Sequence, residues 1–281
     1  MDGCIPFGKK CFGRRVPPTP AQNRLLAALP AEVYERLTPH LQPVRLALGG
    51  VLYESGEQLQ HIYFPTDSIV SLLCELDDGA TVETAMAGNE GLVGIAMLMG
   101  GKTTPNRAVV KSAGSAFRIR ADILVREFEN TGALQNLLLR YTQALMTQTA
   151  QTAVCNWHHT IEQRLCRGLL LSLDRLPSNE LTMTHEVIAN TLGARREGVT
   201  GAAGRLQAAG LIKYSRGKIT VLDRPKLEEQ VCECYGVVKR ESDRLLPNDA
   251  ADGSCFPHAP AKRTFVRFPT AAYGPAMLRS A

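Results

Sequence analysis

The 281-residue chain predicts an α+β protein in three parts: a β-rich N-terminal domain, one long helix, and a small helical C-terminal domain closed by a hairpin. Three observations predict it. Residues 44–120 break into short apolar runs separated by Gly and Asp-Asp-Gly turns. From about residue 133, apolar side chains recur every three or four positions. Residues 181–222 read LTMTHEVIANTLGARREGVTGAAGRLQAAGLIKYSRGKITVL, two helix signatures followed by a hairpin. The expected division is 1–20, 21–132, 133–156, 157–246 and 247–281.

Residues 1–20 are rich in Gly, Pro and basic side chains, and 247–281 are rich in Pro and Ala without periodicity. Both read as disordered tails, because neither can bury enough apolar surface to offset chain entropy. The first residues, MDGCIPFGKKCFGRRVPPTP, lack the apolar centre of a secretory signal. No run approaches the roughly 18–20 apolar residues of a membrane span. The expectation is a cytoplasmic protein with no membrane partner, its eight cysteines held as thiols.

Residues 21–41 suggest short helices with Leu25, Leu26 and Leu29 as apolar contacts and Pro30 as punctuation. The runs VRLAL, GVLYESGE, HIYFPTDSIVSLLCEL, TVETAMAG and NRAVVKSAGSAFRIR are strand-like. Short strands with frequent turns point to a β-barrel or jelly roll. In the next block Leu134, Leu138, Tyr141, Leu145, Gln148, Thr152 and Cys155 alternate by four and three, the seam of a two-helix contact. That seam predicts a homodimer joined through the 133–156 helix, although its later positions are polar.

The last block gives the sharpest signals. Thr184 is a good N-cap, with Met183 and Ile188 at hydrophobic-staple positions. Val187, Ile188 and Leu192 form one apolar face, and Gly193 permits a sharp stop. A second helix resumes near Arg195, with Val199, Ala202, Ala203 and Leu206 as its buried stripe. Leu211–Tyr214 and Ile219–Leu222 are β-leaning, with Arg216-Gly217 as the turn between them. Helix, turn, helix and hairpin make a winged helix-turn-helix, whose second helix suits a DNA major groove. Gly198, Gly201 and Gly204 weaken that helix, each by roughly 1 kcal/mol relative to Ala.

Charge is segregated accordingly. Thr182–Leu222 carries six basic and two acidic residues, a net of +4, while Ala21–Asn130 carries nine and thirteen, a net of −4. Phosphate attraction supplies most non-specific DNA affinity, so the basic end marks the output. The candidate DNA contacts are Arg195, Arg196, Glu197, Thr200 and Arg205 on the second helix, with Arg216 and Lys218 on the wing. Arginine suits guanine and glutamate suits the cytosine amino group.

Taken together, residues 21–246 resemble the Crp/Fnr family of bacterial transcription regulators. The likeness is strongest over CNWHHTIEQRLCRGLLLSLDR, through the helix-turn-helix and into ITVLDRPKLEEQVCECY. It implies a cyclic-nucleotide-binding-like sensor domain, a long dimerisation helix and a DNA-binding domain acting on a two-fold promoter site, with RNA polymerase as partner. It also implies that Arg196 and Glu197 contact bases; Gly201 departs from the basic residue many members carry there. The standard nucleotide cassette is altered. Asn89 stands where Gly precedes the ribose-binding acid, and Ala108 follows Arg107 where Ser or Thr holds the phosphate. Glu90 and Arg107 remain as the candidate effector pocket, for a small-molecule effector.

Other chemistry is weaker. Cys4 and Cys11 are too sparse for an iron–sulfur cluster, and His61 and Cys74 are isolated as haem ligands. Cys155, His158, His159, Glu162 and Cys166 would share one face of a continuous helix, a spacing zinc could use, but capping and packing roles are the expectation. Cys232 and Cys234 look too close together on a helix to meet one ion. No cofactor or metal is therefore expected. No oxyanion loop or phosphate cradle accompanies Cys155 and His158, so no enzyme is expected either. The alternative function is a protein-interaction module with a degenerate barrel and no specific DNA target.

Overall fold

The computed structural model describes residues 18–130 and 132–246. Tail residues 1–17 and 247–281, including Cys4 and Cys11, lie outside the described residues.

The chain opens with a 3-10 turn, Pro20–Gln22, and two short helices, α1 (Arg24–Ala27) and α2 (Ala31–Leu37). Asn23 caps α1 by accepting from the Leu25 and Leu26 N–H groups. Its amide nitrogen donates to the carbonyls of Pro65 and Gly91, so a fully buried polar side chain is satisfied and ties the entry to the strands.

Seven strands follow: β1 (Gln42–Leu46), β2 (Val51–Tyr53), β3 (His61–Pro65), β4 (Ile69–Glu75), β5 (Thr81–Ala87), β6 (Arg107–Ser112) and β7 (Gly114–Arg120). They form two antiparallel sheets, ordered β1-β7-β3 and β2-β6-β4-β5. Side-chain alternation explains the layering. Val70, Leu72, Ala85, Ala87, Ala108 and Val110 point inward and meet Leu46 and Ala116 of the other sheet. Ser71 and Lys111 take intervening positions on the other face of the four-stranded sheet, and a bulge in the β4–β5 register at Leu72/Leu73 turns Glu83 to that face as well. They are buried there because the C-terminal domain covers them. The fold is thus the expected two-sheet, jelly-roll type, with no closed barrel among the described residues.

Helix α3 (Ala121–Glu129) leads to α4 (Ala133–His158), 26 residues long. The residues expected to form a two-helix seam instead face this chain's own core. Leu134, Leu138 and Tyr141 are buried among Leu92, Phe117 and Leu124. Tyr141 Oη donates to the Leu92 carbonyl at 2.7 Å. Gln148 accepts from the Met86 N–H and donates to the Met86 carbonyl, pairing an open edge of β5. Thr152 accepts from Arg167, and Cys155 meets Cys232. The periodicity identified the buried face correctly and misassigned its partner. On the opposite side Leu139, Met146 and Trp157 are exposed, Trp157 by 85%. With Ala150 they fall within about 40° of one another around the helix.

A break at His159 (φ −109°, ψ 151°) separates α4 from α5 (Ile161–Leu173), which Thr160 and Gln163 start with a capping box. The break places Cys155 and His158 on α4 but Glu162 and Cys166 on α5, so the five-residue face expected of one continuous helix does not exist. Beyond α5 come β8 (Glu180–Thr182), α6 (His185–Leu192), α7 (Arg196–Ala208), β9 (Ile212–Ser215) and β10 (Lys218–Val221). The wing has three strands, ordered β8-β10-β9. Helices α8 (Arg224–Gln230) and α9 (Glu233–Leu245) are the last elements among the described residues, and α9 packs along α4.

Candidate nucleic-acid interface

The helix-turn-helix forms for the local reasons its residues suggest. The Thr184 hydroxyl accepts the Val187 N–H at 3.2 Å. Gly193 ends α6 in the left-handed region, with φ 55° and ψ 46°. Val199, Ala202, Ala203 and Leu206 bury one side of α7 against α5 and α6. The three glycines of α7 have different roles. A Cβ on Gly198 would lie 2.6 Å from Ile161 Cδ1, so this glycine brings α7 close to α5, whereas one on Gly204 would meet nothing within 4 Å.

The first turn of α7 is exposed. Arg195 is the N-cap residue rather than part of the helix, and Arg196 and Glu197 follow it, all three exposed. Thr200 is exposed, yet its hydroxyl is engaged by His185 Nδ1 at 3.0 Å and by the Arg196 carbonyl. Arg205 points elsewhere: its Nε lies 2.6 Å from the Glu162 carboxylate on α5. The wing tip carries Arg216 and Lys218, both exposed. Arg216 (φ 51°) and Gly217 (φ 75°) both have positive φ, the requirement of a type I′ hairpin turn. Among the described residues, Arg195, Arg196, Arg216 and Lys218 enter no ion pair.

His185, which the sequence did not single out, holds this surface together. Its ring stacks on Tyr214 of the wing at 4.1 Å between centroids while its Nδ1 meets Thr200 of α7. Partial burial lowers its pKa below the usual histidine value, and the nearby Arg196 charge adds to the effect.

The two candidate effector residues are held apart in separate contacts. Glu90 is buried and pairs with Arg175, just beyond α5, at 2.6 Å; its other oxygen accepts the Gly88 N–H. Gly88 is needed for this approach, since a Cβ there would lie 2.8 Å from Arg175 Cβ. Glu90 therefore latches the N-terminal domain to the C-terminal one. Arg107 pairs with Glu54 at the surface, 2.7 Å apart. Arg107 also lines a cleft of about 400 Å³ between the four-stranded sheet and α6, together with Leu73, Lys111, Met183 and Val187. Lys111 and Glu83 form a second buried pair at 3.0 Å, with the Ser71 hydroxyl donating to Glu83.

Comparison with known proteins agrees with this geometry. Residues 163–230 match the Crp-like helix-turn-helix domain. The chain is 22% identical over 199 residues to the global nitrogen regulator of Synechococcus elongatus, covering 68% of this chain and 90% of that one. Its fold is similar to that of FixK2 from Bradyrhizobium japonicum, with a TM-score of 0.58 at 17% identity, covering 68% of this chain and 98% of the other. It is also similar to TTHB099, a CRP-family transcriptional regulator from Thermus thermophilus, with a TM-score of 0.56 at 21% identity, covering 66% and 95%. No helix among the described residues is long and apolar enough to cross a membrane. Residues 163–230 are thus a Crp-like helix-turn-helix DNA-binding domain, and with the two-sheet domain and the long helix ahead of it the chain has a Crp/Fnr-type transcriptional regulator fold.

Proposed function

We propose that the protein binds a two-fold promoter site as a homodimer and reads it with Arg195, Arg196 and Glu197. The observation that carries this reading is the exposed start of α7, where Arg195 and Arg196 have no acidic partner among the described residues. The wing supports it. Arg216 is the one non-glycine residue with positive φ among those described. A left-handed conformation costs a residue with a Cβ on the order of 1–2 kcal/mol, and Asn or Gly would cost less. A strained, exposed, unpaired arginine at a hairpin tip is suited to a phosphate contact. Lys218 beside it adds a second, and Arg205, tied to Glu162, serves packing instead.

The dimer would use the outward face of α4, with Leu139, Met146, Ala150 and Trp157 meeting their equivalents across a two-fold axis. RNA polymerase is the partner such a regulator would recruit or block. Any signal would act where the domains meet, at the Glu90–Arg175 latch and the cleft beside Arg107, by binding one arrangement better than the other. The inner space between the sheets is filled by Val70, Leu72, Ala85 and Val110, which argues for an input other than a nucleotide buried there.

The test is competition binding on DNA sites selected from a random pool. Arg196→Ala and Glu197→Ala should each cost about 1–3 kcal/mol of discrimination against the wrong base while preserving the salt dependence of binding. Unaltered specificity in both variants would remove these residues from base reading.

A further inference from the structure

Four potential metal ligands converge where α4 ends and α9 begins. Cys155 occupies the last turn of α4 and His159 is its C-cap. Cys232 is the N-cap of α9 and Cys234 lies in its first turn. The three sulfurs and the imidazole nitrogen all lie within 4.8 Å of one another. All three cysteines are at least 96% buried. The Cys155 and Cys232 sulfurs are 3.6 Å apart, and the Cys234 sulfur is 3.6 Å from His159 Nδ1.

These separations match a tetrahedral zinc shell. Bonds of about 2.3 Å to sulfur and about 2.0–2.1 Å to nitrogen, at tetrahedral angles, place sulfurs about 3.8 Å apart and sulfur and nitrogen about 3.5 Å apart. A disulfide would require about 2.05 Å and would involve only two of the four groups. The close spacing of Cys232 and Cys234 is no obstacle, because Cys232 has extended backbone (φ −73°, ψ 162°) and stands outside the helix.

The surroundings complete the site. Glu233 places a carboxylate oxygen 3.3 Å from His159 Nε2, which turns Nδ1 toward the sulfurs. A carboxylate behind a ligating histidine is a common orienting device. Three thiolates and one divalent zinc leave a charge of −1. Arg167 is buried, bonds to the Thr152 hydroxyl, leaves its Nε without a partner and pairs with no carboxylate among the described residues. Thr152, its partner, lies one turn before Cys155 on α4, so the guanidinium sits beside the cluster. A buried guanidinium without a counter-ion is costly, and an anionic metal cluster beside it removes that cost.

We infer that Cys155, His159, Cys232 and Cys234 form a structural zinc site, one per chain. The ion would tie the end of α4 to the start of α9, so that the DNA-binding domain leaves and re-enters the fold at one clasp. Thr160, the N-cap of α5, follows His159 directly, so the clasp also fixes the hinge on which the domain hangs.

The test is elemental analysis and native mass spectrometry of the full chain, without a polyhistidine tag, purified under thiol reductant without chelator. The expected result is one zinc per chain, lost in Cys232→Ser and Cys234→Ser and retained in Cys166→Ser, whose buried thiol lies outside the cluster. Should the variants aggregate, cobalt titration of the unaltered protein decides. Tetrahedral cobalt with thiolate ligands gives intense visible bands and a thiolate charge-transfer band, and zinc should bleach both. A chain that carries no metal and gives no such spectrum overturns the proposal. So does a Cys155–Cys232 disulfide in the reduced preparation, iron with acid-labile sulfide, or zinc retained in both ligand variants.

Discussion

Replacing Glu90 with Gln should release the C-terminal domain from the N-terminal one. Glu90 and Arg175 each have a side chain only 7% exposed, and they meet at 2.6 Å. Removing one charge leaves the other buried, which typically costs about 3–5 kcal/mol, far more than an exposed pair would. Arg175 retains one bond, from Nη1 to the Leu171 carbonyl, and Gly88 retains an oxygen acceptor in the Gln variant, so the lower end of that range is expected. Against a total stability of about 5–15 kcal/mol for a typical domain, the loss is readily measured. Urea unfolding gives the global figure, and amide exchange across α5 and α6 shows whether the domains separate before they unfold. Pairing Glu90→Gln with Arg175→Met should recover part of the loss, with a coupling energy above about 1 kcal/mol. A loss below about 1 kcal/mol, or strictly additive single and double variants, would refute the latch.

The remaining predictions concern the wing, the second helix, the dimer face and pH. Arg216→Asn should stabilise the fold by about 1 kcal/mol in thermal unfolding, because Asn tolerates the left-handed turn, while reducing the salt slope of DNA binding by about 1 per protomer. Opposite signs in the two assays are the expected signature. Gly204→Ala, with open space at the added Cβ, should raise stability by about 1 kcal/mol. Met146→Glu should shift the protein toward monomer in sedimentation, because it sets two like charges against each other across the proposed two-fold axis. The folded-state pKa of His185 lies below its ordinary 6.5, so its contribution to stability is present above that value and lost as pH falls through the folded value. His185→Gln should flatten that acid limb of the stability profile.

Much of the output end is legible in residues 181–222, because its signals are local. Thr184, Gly193 and Arg216-Gly217 each act on their own turn of chain, and each is found in that role. Strand β8 is missed because three residues carry no periodicity. The face of α4 is misassigned for a physical reason: spacing identifies which positions are buried, not what buries them. Gln148 and Thr152 looked like flaws in a dimer seam, yet they bond Met86 and Arg167 of the same chain. A family motif aligns Glu90 with Arg107, whereas folding gives each another partner. The convergence of Cys155 with Cys232 spans 77 residues and depends on α9 turning back along α4, which no local pattern encodes.

The most direct test of the central claim is a hydroxyl-radical footprint on a selected DNA site, with the bound mass measured in parallel. Two protomers should bind one site, protecting two half-sites about 34–36 Å apart on one face of the duplex. Binding by a single protomer, or protection that does not depend on sequence, would contradict it.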